Sequence, residues 1–171
     1  MNYPLSNKEL YELFDDKCKI LRYKDIENIK DLDELFRPFN ITFILYEIKD
    51  GFGHWVVVCR RSSSVYFFDS YGLFPDDEIQ YTGKDYPHWL SAIFMKALEQ
   101  PKPVKITYND IPLQDITNPD SATCGRWCAL YALLYKDVSM KEFADIFKGL
   151  DKDLAVTLLT SFVPDYSVKL E

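Results

Sequence analysis

The stretch GFGHWVVVCRRSSSVYFFDSYG, residues 51–72, decides the fold, because β-branched and aromatic residues flanking a serine-rich turn are typical of paired strands. We place the reversal between Arg61 and Ser62, which suits an even-numbered hairpin loop. His54 then falls opposite Asp69, with Cβ atoms about 5 Å apart. Val56 falls opposite Phe67 in the same register. The sequence therefore predicts a hairpin in a buried sheet that brings a histidine and an acid together.

The predicted pair of His54 and Asp69 has two interpretations. An acid that binds one ring nitrogen of a histidine fixes its tautomer and leaves the other nitrogen free to exchange a proton with a nucleophile. A surface pair at the strand ends, without chemical function, is the alternative, and an odd loop length would abolish the pairing altogether. His88, the other histidine, lies beside Pro87 at a predicted helix start, where the helix dipole disfavours positive charge. We interpret His88 as structural.

The remaining segments predict an α+β domain without internal repeats. Ser6 with Glu9, and Ser139 with Glu142, have the spacing of capping boxes, so each pair predicts the start of a helix. Further strands are predicted at residues 41–48 and 104–110, and further helices at residues 31–36, 87–100, 124–135 and 153–162. Because helices precede and follow the block of strands, we expect one α+β domain over residues 1–171.

The segment SATCGRWCALYALLYK, residues 121–136, places two cysteines four positions apart at the start of an apolar helix. Cys124 follows a turn-prone loop, and free amide hydrogens at a helix N-terminus favour a thiolate there. Gly125 would leave room for a substrate backbone, and the amide of Cys124 could donate to an oxyanion. Cys128, one turn into the helix, is predicted to be a small buried hydrophobe.

Two alternatives for the cysteines stay open at this point. Residues four apart share a helix face, so Cys124 and Cys128 could hold two corners of a tetrahedral zinc site, with His54 and Asp69 as the other ligands. They could also be an inert pair in the core. Only a reactive Cys124 would join the predicted histidine and acid in catalysis.

A polar side chain upstream of the cysteines could complete a catalytic site. Gln114 follows Leu113 and has no evident role in a helix or turn, so its amide is a candidate donor to a developing oxyanion. Asn109 and Asn118 fit the same role on spacing alone.

Composition and charge limit the classes of function. The 171-residue chain carries a net charge of −7, which argues against nucleic acid as the main ligand because phosphate binding needs a basic surface. It has no run of 18 apolar residues and no basic-then-apolar N-terminus, so we expect neither a membrane span nor secretion. An intracellular protein would keep its four cysteines reduced.

The ordered motifs GHW, FFDSYG, LQ and TCGRWC resemble those of the adenovirus maturation protease (adenain) and the ubiquitin-like-protein-specific proteases. The chain looks most like the maturation proteases of adenoviruses, virophages and Polinton-type elements. The resemblance implies a papain-like α+β fold, with a central mixed sheet flanked by helices and the nucleophile at the start of a buried central helix. It also implies that His54 is the general base, Asp69 its orienting acid, Gln114 an oxyanion-hole donor and Cys124 the nucleophile.

The resemblance further implies a function in acyl transfer without cofactor or metal: a cysteine endopeptidase that cleaves viral capsid or core precursors, expected as a monomer in the infected cell or virion. Trp55 and Gly125 would border the substrate. A deubiquitinating or deSUMOylating isopeptidase is the first alternative, and an acetyltransferase with the same triad is another. A binding module without turnover is an alternative of a different class.

Overall fold

The computed structural model describes residues 4–118 and 120–161 and has the predicted α+β architecture. Within these residues five strands form one sheet in the order β1-β2-β3-β4-β5, flanked by helices. The strands are β1 (Lys19–Arg22), β2 (Ile41–Lys49), β3 (Phe52–Arg61), β4 (Ser64–Asp69) and β5 (Lys105–Tyr108). The α-helices are α1 (Asn7–Leu13), α2 (Leu32–Phe36), α3 (Trp89–Leu98), α4 (Cys124–Leu134), α5 (Met140–Ile146) and α6 (Lys152–Ser161), and 3₁₀ helices span Tyr23–Asn28 and Asp77–Tyr81.

The sheet is mixed, as the resemblance implied. Strands β2, β3 and β4 run antiparallel, while β1 pairs parallel with β2 and β5 pairs parallel with β4. The sequence did not predict β1 or the two 3₁₀ helices, because segments of four to six residues carry too little periodicity to be distinguished from loop.

The predicted register of the β3–β4 hairpin is wrong by two residues. Val56, not His54, lies opposite Asp69, because the chain reverses at Ser62 and Ser63. Ser62 adopts a left-handed conformation with φ of 53°, which a two-residue hairpin turn requires. An even shift keeps every side chain on its predicted face of the sheet, so His54 and Asp69 become diagonal neighbours. Continuing the same register places Tyr71 opposite His54.

Apolar side chains cover both faces of the sheet, which explains the nearly continuous apolar runs in β2, β3 and β4. One face packs on α4, and the other packs on α2 and α3. The α4 side includes Phe43, Leu45, Trp55, Val57, Cys59 and Phe68, and the opposite side includes Ile44, Val56, Val58, Val65 and Phe67. The sheet is thus the middle layer, and its strands are held rigidly from both sides.

Helix α4 is central and enclosed, as predicted, since every residue from Cys124 to Ala132 is buried. The ring of Tyr131 stacks on Phe68 of β4 with centroids 4.6 Å apart, and Trp127 meets Phe147 edge-on at 4.7 Å. The guanidinium of the buried Arg126 donates to Thr160 Oγ1 in α6 at 2.8 Å. These contacts hold α4 against β4, Phe147 and α6.

The other predicted helices are present. Both capping boxes form, with Ser6 and Glu9 at α1 and Ser139 and Glu142 at α5. Helix α6 matches the predicted segment up to residue 161, and the last predicted position, 162, lies outside the described residues. No helix in the described ranges is long and apolar enough to cross a bilayer.

Candidate active site

His54 and Asp69 form a buried hydrogen-bonded pair. His54 Nε2 lies 2.8 Å from Asp69 Oδ1, and both side chains are at most 4% exposed. The same carboxylate oxygen accepts the backbone N–H of Tyr71 at 2.8 Å. The structure therefore brings the two residues together as the sequence predicted, although through a diagonal and not a directly opposed pairing.

The surroundings of His54 favour the imidazolium form. Burial by itself would lower the pKa of His54, but the Asp69 carboxylate and the neighbouring Cys124 hold the pKa well above its ordinary value. Since a carboxylate can only accept, Nε2 donates to Asp69 and Nδ1 is left for the thiol side of the site. The ring is also clamped by Tyr71, which stacks on it at 4.1 Å with an interplanar angle of 10°.

Cys124 is the first residue of α4, as predicted. Its thiol adds to the rise in the pKa of His54, and its side chain is 9% exposed. The N-cap residue Thr123 donates its hydroxyl to Asp153 Oδ1 at 2.8 Å and does not cap the helix. The first-turn amides of α4 therefore face the site without competition from the N-cap side chain.

Gln114 is held next to the segment that leads into α4. Its backbone N–H donates to the carbonyl of Ser70, and its Oε1 accepts the Ser70 hydroxyl at 2.8 Å. Its amide nitrogen donates to the Ser121 carbonyl and hydroxyl, each at 3.0 Å. An oxyanion would take over one of these amide hydrogens, and the Ser121 hydroxyl can give up its bond most readily because it is itself a rotatable donor.

The two other candidate amides are used elsewhere. Asn109 Nδ2 donates to the Asp69 carbonyl at 2.7 Å, so this side chain supports the end of β4. Asn118 is exposed, and its Oδ1 accepts the N–H of Asp120 in the loop before α4. Of the three candidates, Gln114 is the one aimed at the segment adjoining Cys124.

Trp55 and Gly125 are in direct contact. A Cβ atom on Gly125 would lie 3.2 Å from Trp55 Cδ1, closer than side chains normally pack. The glycine thus lets the indole of β3 lie against the first turn of α4, which is a different physical reason for a glycine from the open passage expected from the sequence. Cys128 Sγ donates to the Trp55 carbonyl at 3.2 Å and strengthens the same junction.

Comparison with known proteins places the chain in a family. It is 33% identical over 147 residues to the uncharacterized protein V9 of Sputnik virophage, an alignment that covers 81% of this chain and 80% of V9. The chain belongs to the V9 family. No protein-family model matches it.

Solved structures confirm the fold predicted for this V9-family chain. The crystal structure of ASFV pS273R protease matches 92% of the chain with a TM-score of 0.54 and 18% identity. The selenomethionine form of the same protease matches 91% of the chain with a TM-score of 0.55 and 17% identity. The V9-family chain spans 66% of the protease chain in each case, and the likeness shows a shared fold.

In the V9-family chain, Cys128 is turned away from His54 and Asp69, so both cysteines cannot bind one metal ion together with these two residues. Cys128 is fully buried and turned to Trp55, and burial raises the pKa of its thiol well above the ordinary value. This placement confirms the prediction of Cys128 as a core residue. Among the described residues, the side-chain group with metal-binding atoms close together is His54, Asp69 and Glu78, and its histidine and aspartate are already bonded to each other.

Three residues of the site were not found from the sequence. Ser70 and Tyr71 directly follow Asp69, and the hairpin pattern could have included them had the register been correct. Glu78 lies in the second 3₁₀ helix within PDDEIQY, a stretch that reads as an exposed acidic loop, so no signal distinguishes it. His88, by contrast, is the exposed N-cap residue of α3 and lies one position before the observed helix, not in its first turn as predicted.

Proposed function

We propose that this V9-family chain is a cysteine endopeptidase in which Cys124, His54 and Asp69 form the catalytic triad. The observation that carries the proposal is the buried 2.8 Å bond between His54 and Asp69, with Cys124 at the start of α4 as the other partner of the same ring. An orienting acid, an imidazole and a thiol in this order constitute an activated nucleophile.

The proposed reaction proceeds through a thioester. The Cys124 thiolate attacks the peptide carbonyl carbon, and the carbon–sulfur bond forms as the carbonyl oxygen becomes an oxyanion. The tetrahedral intermediate collapses when the carbon–nitrogen bond breaks and the leaving amine takes the proton from His54 Nδ1. Water then gives a proton to His54 and attacks the thioester, which releases the acid product and the Cys124 thiolate. Asp69 holds the ring in place throughout.

Stabilisation of the oxyanion is assigned to the Gln114 amide and the backbone N–H of Cys124. Gln114 supports this role because its amide bonds to Ser121, three residues before the nucleophile, and the N–H of Cys124 supports it because it belongs to the first residue of α4. Donors that are fixed before the reaction stabilise the developing charge without reorganising. The bond from Ser70 to Gln114 fixes one of them.

Viral precursor proteins are the proposed substrates. The relationship to a virophage protein and the fold shared with a viral protease support a role in processing capsid or core precursors. The resemblance to adenain-like proteases supports a preference for glycine or another small residue before the cut. We propose a single catalytic domain that acts as a monomer in infected cells or virions.

The decisive experiment is cleavage of co-expressed viral capsid precursors by the wild type, Cys124→Ser and His54→Ala. We expect specific fragments with the wild type and a loss of at least about 10³-fold in rate with either variant. Cys128→Ser is the matched control, since its thiol is buried. Unchanged cleavage by Cys124→Ser would overturn the proposal.

Cleavage of ubiquitin-like conjugates is the second candidate, because the sequence motifs also resemble those of the ubiquitin-like-protein-specific proteases. A ubiquitin-like protein with a C-terminal electrophile separates the two functions. Rapid labelling of Cys124 by that probe, without cleavage of capsid precursors, would favour the isopeptidase.

A further inference from the structure

Glu78 is a buried acid that the proposed triad does not use. It lies in the second 3₁₀ helix, where its neighbour Asp77 is exposed while Glu78 turns inward and is 4% exposed. Acids with so little exposure are rare unless they are paired, because desolvation disfavours their charged form. The position of Glu78 therefore requires a physical reason.

The reason lies in its neighbours. One carboxylate oxygen of Glu78, a ring nitrogen of His54 and a carboxylate oxygen of Asp69 all lie within 4.8 Å of one another. Within the described residues, Glu78 Oε2 and Asp69 Oδ2 are both buried without a hydrogen-bond partner. Two neighbouring carboxyl groups that each hold an orphaned acceptor can satisfy each other only if one of them carries a proton.

The electrostatics assign that proton to Glu78. Burial raises the pKa of Glu78 to about 7, with His54 opposing and Asp69 adding to the shift. Asp69, by contrast, already accepts two hydrogen bonds on Oδ1, from His54 and from the Tyr71 N–H.

We propose that Glu78 is a positioning residue that acts on His54 through Asp69. When protonated, Glu78 donates to Asp69 Oδ2 after a small side-chain rotation and holds the carboxylate in the orientation that binds His54. When ionised, Glu78 places a second negative charge beside the ring and keeps the imidazolium protonated to higher pH. The inference rests on the proposed function for its effect on cleavage, but not for its effect on His54.

Other charged or titratable groups near this cluster are identified, so their contributions can be separated. Burial raises the pKa of the Tyr71 hydroxyl far above the working range. The negative groups around it, which are Cys124 of α4, Glu78, Asp69 and Asp153 of α6, add to this rise. Tyr71 therefore stays neutral. Glu78, whose pKa is raised to about 7, is therefore the acid of this cluster that changes charge near neutral pH, while the pKa of His54 is held well above its ordinary value.

The first measurement is the titration of the His54 ring by NMR, in wild type, Glu78→Gln and Glu78→Leu. The chain has two histidines, so the exposed His88 serves as an internal reference. We expect the wild-type His54 signals to show a second inflection near pH 7, absent in both variants. Loss of the negative charge should lower the pH at which His54 loses its proton by about one unit.

The second measurement is the alkylation rate of Cys124 against pH, with kcat/KM for a cleaved peptide alongside it. Below about pH 6 we expect Glu78→Gln to match the wild type, because an amide imitates a protonated carboxyl as a donor. At high pH, the rates of Glu78→Gln should begin to change about one pH unit lower than those of the wild type. Glu78→Leu, which cannot donate, should lower both rates about tenfold even at pH 6. Asp85→Asn, an exposed charge change, is the matched control.

The outcomes are distinct. Identical His54 titrations in wild type and Glu78→Gln would overturn the inference, and so would loss of the second inflection on adding EDTA, which would assign it to a bound metal ion. If the His54 titration responds as expected but no peptide is cleaved, the positioning role stands and the proposed function fails.

Discussion

At the scale of single residues, three consecutive positions at the end of β4 organise the candidate site. Asp69 binds His54, Ser70 binds Gln114 through both backbone and hydroxyl, and Tyr71 stacks on the His54 ring. The acid and the proposed oxyanion donor are therefore anchored on one short piece of backbone. A displacement of this piece would misplace both at once.

Ser70→Ala tests the anchor of Gln114. The substitution removes the hydrogen bond to Oε1, while the two backbone bonds from Leu113 and Gln114 to the Ser70 carbonyl remain. Loss of about 1 kcal/mol should lower kcat/KM about fivefold. The alkylation rate of Cys124 should not change, and Ser63→Ala in the exposed turn is the control. A parallel fall in alkylation would mean that Ser70 supports the nucleophile and not the amide.

Glu78 also affects stability. The pKa of this carboxyl rises from 4.5 in the unfolded chain to about 7 in the folded protein. The folded protein therefore loses stability as the pH rises through that window. At about 1.4 kcal/mol per unit of pKa, the wild type should lose roughly 3 kcal/mol between pH 4 and pH 8 from this group. Glu78→Gln should lack this loss. Urea unfolding at several pH values measures the unfolding free energy of both proteins. An equal change of this free energy with pH in wild type and Glu78→Gln would contradict the prediction.

At the scale of elements, the hairpin shows what sequence patterns can and cannot predict. The apolar alternation predicted β3, β4 and the shared side of His54 and Asp69, because these depend on parity alone. The register itself depended on which residues of the RRSSS stretch turn, and adjacent serines give no basis for choosing. Glu78 was beyond prediction because its burial comes from packing of a 3₁₀ helix that has no periodic pattern.

Gly53 is required by the pairing of β2 and β3 beside His54. A Cβ atom there would lie 2.0 Å from the Tyr46 carbonyl oxygen, so the strands would have to separate. We expect Gly53→Ala to lower the unfolding free energy by about 3 kcal/mol or more and to abolish the fast reaction of Cys124. Gly51→Ala is the control, because its open surroundings leave a cost of about 1 kcal/mol from its φ of 69°. Equal losses would contradict this steric argument.

At the scale of the whole molecule, the cysteines report on one cooperative core. Cys18, Cys59 and Cys128 lie in the same apolar core on the α4 side of the sheet, at most 1% exposed. Burial raises the pKa of Cys18 to about 11 and the pKa values of the other two well above the ordinary value. Cys124 belongs to that core but faces the site.

Thiol counting tests this arrangement. We expect one thiol per chain, Cys124, to react quickly with a disulfide reagent in the native protein. The other three thiols should react at least about 10³-fold more slowly, because opening the core requires most of the folding free energy. In urea, these three thiols should become reactive over the same concentration range as the tryptophan fluorescence transition. A second fast thiol, or reaction of a buried thiol at urea concentrations below that transition, would show that part of the core opens independently.

The turn at Ser62 and Ser63 lies at the far end of the hairpin from His54, about 25 Å away along the strand. Both serines are exposed, and their backbone joins two strands that are already held by the sheet. A peptide tag or a fluorescent reporter could be spliced in at this point without entering the core. The hairpin that carries the histidine thus also offers a labelling site for following the protein in living cells while the site stays intact.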